Sequence, residues 1–154
     1  SDSHIRTFSH LHMVGAGVSD LGLVGIMPTA ADPSPELFER SAARSSFSHE
    51  SEEATPGKYS VLLHTPNLRA EITAATTHAA LHRYTRSALS SSPVTILIDP
   101  HASVVEGTVR HAAVSVVSGA TGVVEGELVD AGGSLARRFG GLRAYFVVEV
   151  IEGE

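Results

Sequence analysis

The chain has 154 residues, with 11 Lys and Arg against 17 Asp and Glu and a formal net charge of −6. That length suits a single domain, and no basic run is long enough to follow a phosphate backbone, so no nucleic-acid partner is expected. The absence of Cys excludes disulfides, thiolate metal sites and a Cys nucleophile, and no apolar stretch approaches the roughly 20 residues of a membrane helix.

The opening Ser1-Asp2-Ser3-His4 has neither an initiator Met nor the basic and apolar regions of a signal peptide. It reads as part of a longer polypeptide. The stretch from Phe8 to Gly22 is polar and punctuated by Gly15, Gly17 and Gly22. It is expected to be a loop, where side chains converge on a ligand because a rigid scaffold holds the loop ends. Pro35 to Ala43 is the one passable helix, a short excursion between strands, with Leu37 and Phe38 apolar and Ser34 placed as N-cap before Pro35 at the first helical position. A second polar loop, Phe47 to Gly57, carries His49, Glu50, Glu52 and Glu53.

Beyond it the apolar residues recur with period 2, the mark of half-buried strands. Tyr59, Val61 and Leu63 alternate with more polar neighbours; Pro66-Asn67 makes a turn; Leu68, Ala70, Ile72, Ala74 and Thr76 alternate again, so this is a hairpin. Leu81 to Thr85 is a short strand with His82 and Tyr84 on one face. Val94 to Ile98, apolar or β-branched throughout, is expected to be a strand covered on both sides. Val109 to Val117, Val123 to Val129 and Leu142 to Ile151 complete the set. The turns between them are Ser90-Ser91-Ser92-Pro93, Ser118 to Gly122, Gly132-Gly133 and Gly140-Gly141. Strands of modest length at regular spacing predict an all-β fold, an antiparallel sandwich.

Three chemistries are weighed. His10 and His12 share a side of an extended chain and form an H-x-H pair able to chelate a metal. A cupin-type site would want a Glu three or four residues further on, where Val14-Gly15-Ala16 stand, and the alternative is histidines that hydrogen-bond backbone or substrate hydroxyls. Glu50, Glu52 and Glu53 invite comparison with the two carboxyls of a glycosidase; the alternative is a solvated or fold-stabilising acidic loop that caps backbone N–H groups. Ser9, Ser46 and Ser48 lie near histidines, yet no G-x-S-x-G elbow occurs. Gly15-Ala16-Gly17 lacks the ending of a phosphate loop, so its glycines are read as a tight turn.

The order of these motifs resembles glycoside hydrolase family 92, the calcium-dependent α-mannosidases, over nearly the whole chain. A family block much like G-F-S-H-T-H-L-S-G-T-G, then G-D and Met-Pro, is matched by Phe8-Ser9-His10-Leu11-His12, Gly15, Gly17, Asp20, Gly22 and Met27-Pro28. A second block like F-S-H-E-N-E-E-A-T-P-G-Y-Y-S-V is matched by Phe47 to Val61, with Ser51 and Lys58 as departures. Arg69 to Ala74 and His82-Arg83-Tyr84-Thr85 resemble two further stretches.

The resemblance implies that residues 1–154 are an incomplete N-terminal β-sandwich domain. Its first strands, one adding a tryptophan to the sugar pocket, and a downstream (α/α)6 catalytic domain lie outside the chain. It implies an inverting exo-α-mannosidase acting on a mannose-containing glycan, with Ca2+ and both catalytic carboxylates held mainly by the helical domain. None of Glu50, Glu52 and Glu53 is then catalytic. His10, His12, Asp20, His49 and Glu50 become the candidate substrate-binding residues, with no metal ligand among them. A secreted or periplasmic location is implied as well.

Leu11, Val14, Ala16, Val18 and Leu23 stand where the family usually has polar or thiol side chains. A lost hydrogen bond costs about 0.5–1.5 kcal/mol, so these swaps predict an altered sugar preference or lost turnover. The isolated segment is expected to be inactive and, with strand edges and an apolar face uncovered, prone to self-association. The reading from another class is a non-catalytic carbohydrate-binding or interaction module.

Overall fold

The computed structural model describes residues 3–12, 20–38, 43–86, 93–105, 107–133 and 135–151. Among them there is no α-helix. The strands are β1 (His4–Ile5), β2 (Phe8–His12), β3 (Leu21–Thr29), β4 (Ser45–Ser46), β5 (Glu53–Thr55), β6 (Lys58–Leu63), β7 (Leu68–Ala74), β8 (Ala80–Arg86), β9 (Thr95–Asp99), β10 (Val109–Val116), β11 (Val123–Asp130) and β12 (Leu142–Glu149). The fold is all-β with antiparallel, sandwich-like layering, as the period-2 pattern predicts.

Three sequence expectations are corrected. Phe8 to His12 and Leu21-Gly22 are strand rather than loop, as is Glu53–Thr55 within the second polar loop, where pairing with β6 extends the chain. The helix expected over Pro35 to Ala43 is a 3-10 turn, Pro35–Phe38, where it is described. Val94 to Ile98, expected to be covered on both sides, corresponds to β9, whose residues are all only partly buried. The Gly15-Ala16-Gly17 turn, residues 39–42 of the expected helix and Ser90-Ser91-Ser92 lie outside the described residues.

The chain divides into two compact units, residues 1–8 with 26–97 and residues 9–25 with 98–154. In the first, β5-β6-β7-β8 is an antiparallel meander. Leu63 pairs with Leu68 across the predicted turn, whose Asn67 takes the left-handed φ of 49° that Asn tolerates. Val61, Leu63, Leu68 and Ala70 of the meander bury against Met27 of β3, with Phe8, Phe47, Tyr59, Ile72 and Tyr84 around them. On the solvent side Glu71 reaches both Arg83 at 2.8 Å and Lys58 at 3.1 Å, bonds that hold its carboxyl down to about 2.

In the second unit, β10-β11-β12 is another antiparallel meander, and its core is Leu23 and Val24 of β3 against Leu128 and Ala144, flanked by Leu11, Val109, Ala112, Leu142 and Phe146. The register puts Leu128 opposite Ala144 and Gly126 opposite Phe146 on this core face, while Glu127, Tyr145 and Arg143 face outward. Each unit thus packs a strand layer on a strand layer, with the apolar faces inward.

Candidate functional site

In the second unit, the alternation of β2 places Leu11 in the core and leaves His10 and His12 exposed on the other side of the strand. His10 Nδ1–H donates to the Val24 carbonyl oxygen at 3.3 Å. Burial, and then the neighbouring His12, keep His10 below the usual imidazole range, so the ring is neutral at neutral pH. His12 Nε2–H donates to the Ser9 carbonyl at 2.8 Å and lies 2.9 Å from Ser9 Oγ. The two rings are held by different backbone carbonyls.

The carbonyl that orients His10 belongs to a strained residue. Val24 sits at φ 57° and is 4% exposed, a conformation that a β-branched side chain adopts only where packing over-determines it. Two residues earlier Gly22, at φ 74°, meets the Val104 backbone so closely that an added Cβ would lie 3.2 Å from Val104 N. Leu21 O accepts from Val104 N at 2.8 Å. Leu11 and Leu23, two of the apolar departures from the family pattern, belong to this core and its flank, which is why they are apolar here. Val14, Ala16 and Val18 lie outside the described residues.

Asp20 has a different role from the histidines. It is 3% exposed and accepts four backbone N–H bonds: Leu21 at 3.0 Å and Gly133 at 2.8 Å on Oδ1, Leu135 at 2.8 Å and Ala136 at 2.7 Å on Oδ2. These bonds, the one from Ala136 foremost, hold its carboxyl below the usual range against the opposing effect of burial. Asp20 ties the 133–136 turn to the start of β3, and both of its oxygens are committed to that task.

In the first unit, Ser48 caps the 3-10 turn His49–Ser51, its Oγ accepting from Glu50 N at 3.3 Å, and Ser51 Oγ donates back to Ser48 O at 2.8 Å. His49 and Glu50 are both exposed. Glu52 joins two partners: Oε2 accepts from His49 Nδ1–H at 2.7 Å, and Oε1 accepts from the Tyr59 hydroxyl at 2.6 Å. The Tyr59 bond, then the His49 bond, lower the Glu52 carboxyl, while burial, then Glu52, push the Tyr59 phenol up. The Phe47 ring lies edge-on to His49 at 5.0 Å. Glu53 goes instead to Arg69, 3.4 Å away, so two of the three acidic residues are engaged by neighbouring side chains.

Of the sequence candidates, then, His10, His12 and Asp20 belong to the second unit, and His49 and Glu50 to the first. The Glu52–Tyr59 link was not legible beforehand; its only signal was a Tyr seven residues after a Glu across a Pro-Gly turn, a pairing that needs the β5–β6 register to be known. Calcium takes six to eight oxygen ligands, and no group of three or more His, Asp or Glu among the described residues could hold a metal ion. With Asp20 filled by N–H donors, these residues do not fit a calcium site.

Comparison with curated proteins finds no match. Among solved structures, the chain is similar to the family GH92 α-mannosidase BT3965 from Bacteroides thetaiotaomicron, both alone and in complex with mannoimidazole. Each comparison gives 23% identity and a TM-score of 0.76 over 94% of this chain, covering 19% and 18% of the relative respectively. It is also similar to the GH92 family glycosyl hydrolase ccman5, at 27% identity and a TM-score of 0.67 over 83% of this chain and 18% of that one. The chain therefore spans about a fifth of the length of these solved relatives. The family model for the glycosyl hydrolase family 92 N-terminal domain matches residues 1–152, and the chain belongs to that family.

Proposed function

We propose that this chain is the N-terminal β-sandwich segment of an exo-α-mannosidase and that it supplies polar side chains to the binding of a mannose-containing glycan without performing the chemistry. The family match over residues 1–152 carries this reading. The exposed His10 and His12 of β2 and the exposed His49 and Glu50 of the capped turn support it, because sugar recognition needs oriented donors and acceptors for hydroxyl groups.

A glycosidase needs two carboxyls, one to protonate the leaving oxygen and one to activate water or attack. Glu52 and Glu53 are engaged with Tyr59, His49 and Arg69, so we assign both catalytic carboxyls, for inversion at the anomeric carbon, to a downstream domain. Calcium ligands are assigned there too. This chain's part is to hold hydroxyl-binding groups in place, with Asp20 steadying the start of the strand whose Val24 carbonyl orients His10.

Incubating the purified 154-residue chain with an α-mannoside and calcium tests the proposal, with no release of mannose expected; release by this chain alone overturns the division of labour. The intact mass of the native polypeptide is the companion measurement. A mass several times that of this chain is expected, and a mass equal to it would leave a sugar-binding or structural module instead.

A further inference from the structure

We propose that Glu52 is a positioning residue: braced by Tyr59, it fixes the His49 imidazole so that Nε2 is presented outward as an acceptor for a glycan hydroxyl. This rests on the reading of the chain as a glycan-facing segment. Two bonds converge on Glu52, one from the core side and one from the solvent side. Tyr59 packs against the first unit's core and lies 6.3 Å from the Phe8 ring; its hydroxyl donates to Glu52 Oε1 at 2.6 Å. Glu52 Oε2 accepts from His49 Nδ1–H at 2.7 Å. The His49 side chain is 61% exposed against 28% for Glu52.

Three elements therefore fix a ring that solvent would otherwise leave free: the carboxylate, the Phe47 edge contact at 5.0 Å and the Ser48-capped turn that carries His49. Exposed ion pairs add little to stability, so folding alone gives small reason for this arrangement. Its chemical result is definite. With the proton on Nδ1 and bound by Glu52, Nε2 carries the lone pair, and a carboxylate behind an imidazole fixes the tautomer and orients the ring, as it does behind metal-bound histidines. No metal is needed here; the complement of an outward imidazole acceptor is an O–H donor, which a glycan presents in abundance.

The test uses the whole native polypeptide. His49→Ala and Glu52→Ala should each raise KM for an α-mannoside about tenfold with kcat within about twofold, and the double variant should be no worse than either alone, since both remove one oriented acceptor. Glu52→Gln, which keeps a carbonyl oxygen for Nδ1–H, should restore KM to within about twofold, and Tyr59→Phe should lie between. Unchanged KM in Glu52→Ala, or a double variant about a hundredfold worse, overturns the proposal.

A second readout does not depend on activity. Diethyl pyrocarbonate modifies the imidazole lone pair, and peptide mapping gives its rate at His49. Methyl α-mannoside should protect His49 in the parent, and Glu52→Gln should be labelled at Nε2 alone whereas Glu52→Ala, with Nδ1 freed, should be labelled at either nitrogen. Labelling at the same nitrogens in these two variants overturns the positioning role, and absence of protection overturns the glycan contact. A polypeptide inactive on every α-mannoside, with His49 labelling still controlled by Glu52, refutes the mannosidase reading and leaves the positioning intact.

Discussion

Asp20→Asn is the sharpest perturbation of this fold. The carboxylate accepts Leu21 and Gly133 on one oxygen and Leu135 and Ala136 on the other. An Asn keeps one oxygen and turns an NH2 group toward the second pair of N–H donors, so two bonds are lost whichever way the amide faces. Charge-assisted bonds contribute about 1.5–3 kcal/mol each. Because Leu135 and Ala136 are only half-buried, water compensates in part, and the expected loss is about 3 kcal/mol. At about 2–4 °C per kcal/mol for a protein of this size, the thermal midpoint at neutral pH should fall by about 6–12 °C.

The pH dependence supplies the internal control. The folded Asp20 carboxyl lies below its ordinary 3.8, so its stabilisation is complete above that value and is lost as pH falls through the lower, folded one. Differential scanning calorimetry of parent and variant should therefore give a gap that is constant near neutrality and narrows below about pH 4. Hydrogen exchange of the amides at 133, 135 and 136 should accelerate in the variant. A variant within about 0.5 kcal/mol of the parent at pH 7, or a gap that persists unchanged into acid, would refute the account of Asp20 as the tie of this turn.

Gly22→Ala should cost about 1–2 kcal/mol in urea unfolding, since Gly22 combines φ 74° with the close approach of Val104. Gly57→Ala, at φ 79° with nothing within 4 Å, should cost less, and equal losses would sink the close-approach argument. Asp130, 0% exposed and with neither carboxylate oxygen hydrogen-bonded among the described residues, should tolerate replacement by an amide: Asp130→Asn is expected to raise the unfolding free energy by about 1 kcal/mol or more, and a lowered free energy would refute this. The isolated chain should self-associate through the uncovered end of the β10–β12 meander, where Val114 is 46% exposed and Val116 75% exposed on one face. Sedimentation velocity should find that Val116→Lys weakens this association; no change would place the contact elsewhere.

The meanders were legible because their strands obey a local rule. Tyr59, Val61 and Leu63, and likewise Leu68, Ala70 and Ile72, repeat with the pleat, and Pro66-Asn67 marks the turn between them. Strand β3 broke the rule. Gly22, Gly25 and Pro28 look like turn punctuation, while Gly22 to Thr29 are all buried, so the apolar alternation that signals a half-exposed strand has nothing to alternate with. The same limit applies to the candidate residues: their types were readable, but not whether a given side chain was free to meet a ligand.

What this sequence determines by itself is composition, pattern and kinship: an acidic, cysteine-free, all-β chain whose ordered motifs place it in family 92. Only the tertiary structure separated His49, presented outward, from Asp20, consumed by the backbone of residues 113 to 116 positions away. It also joined Glu52 to Tyr59 through strand register and turned the apolar Leu11 and Leu23 into core and its flank. Hydrophobic period is written in neighbouring residues, whereas hydrogen-bond satisfaction is settled between residues far apart in the chain, and a polar side chain's availability depends on who has already bound it.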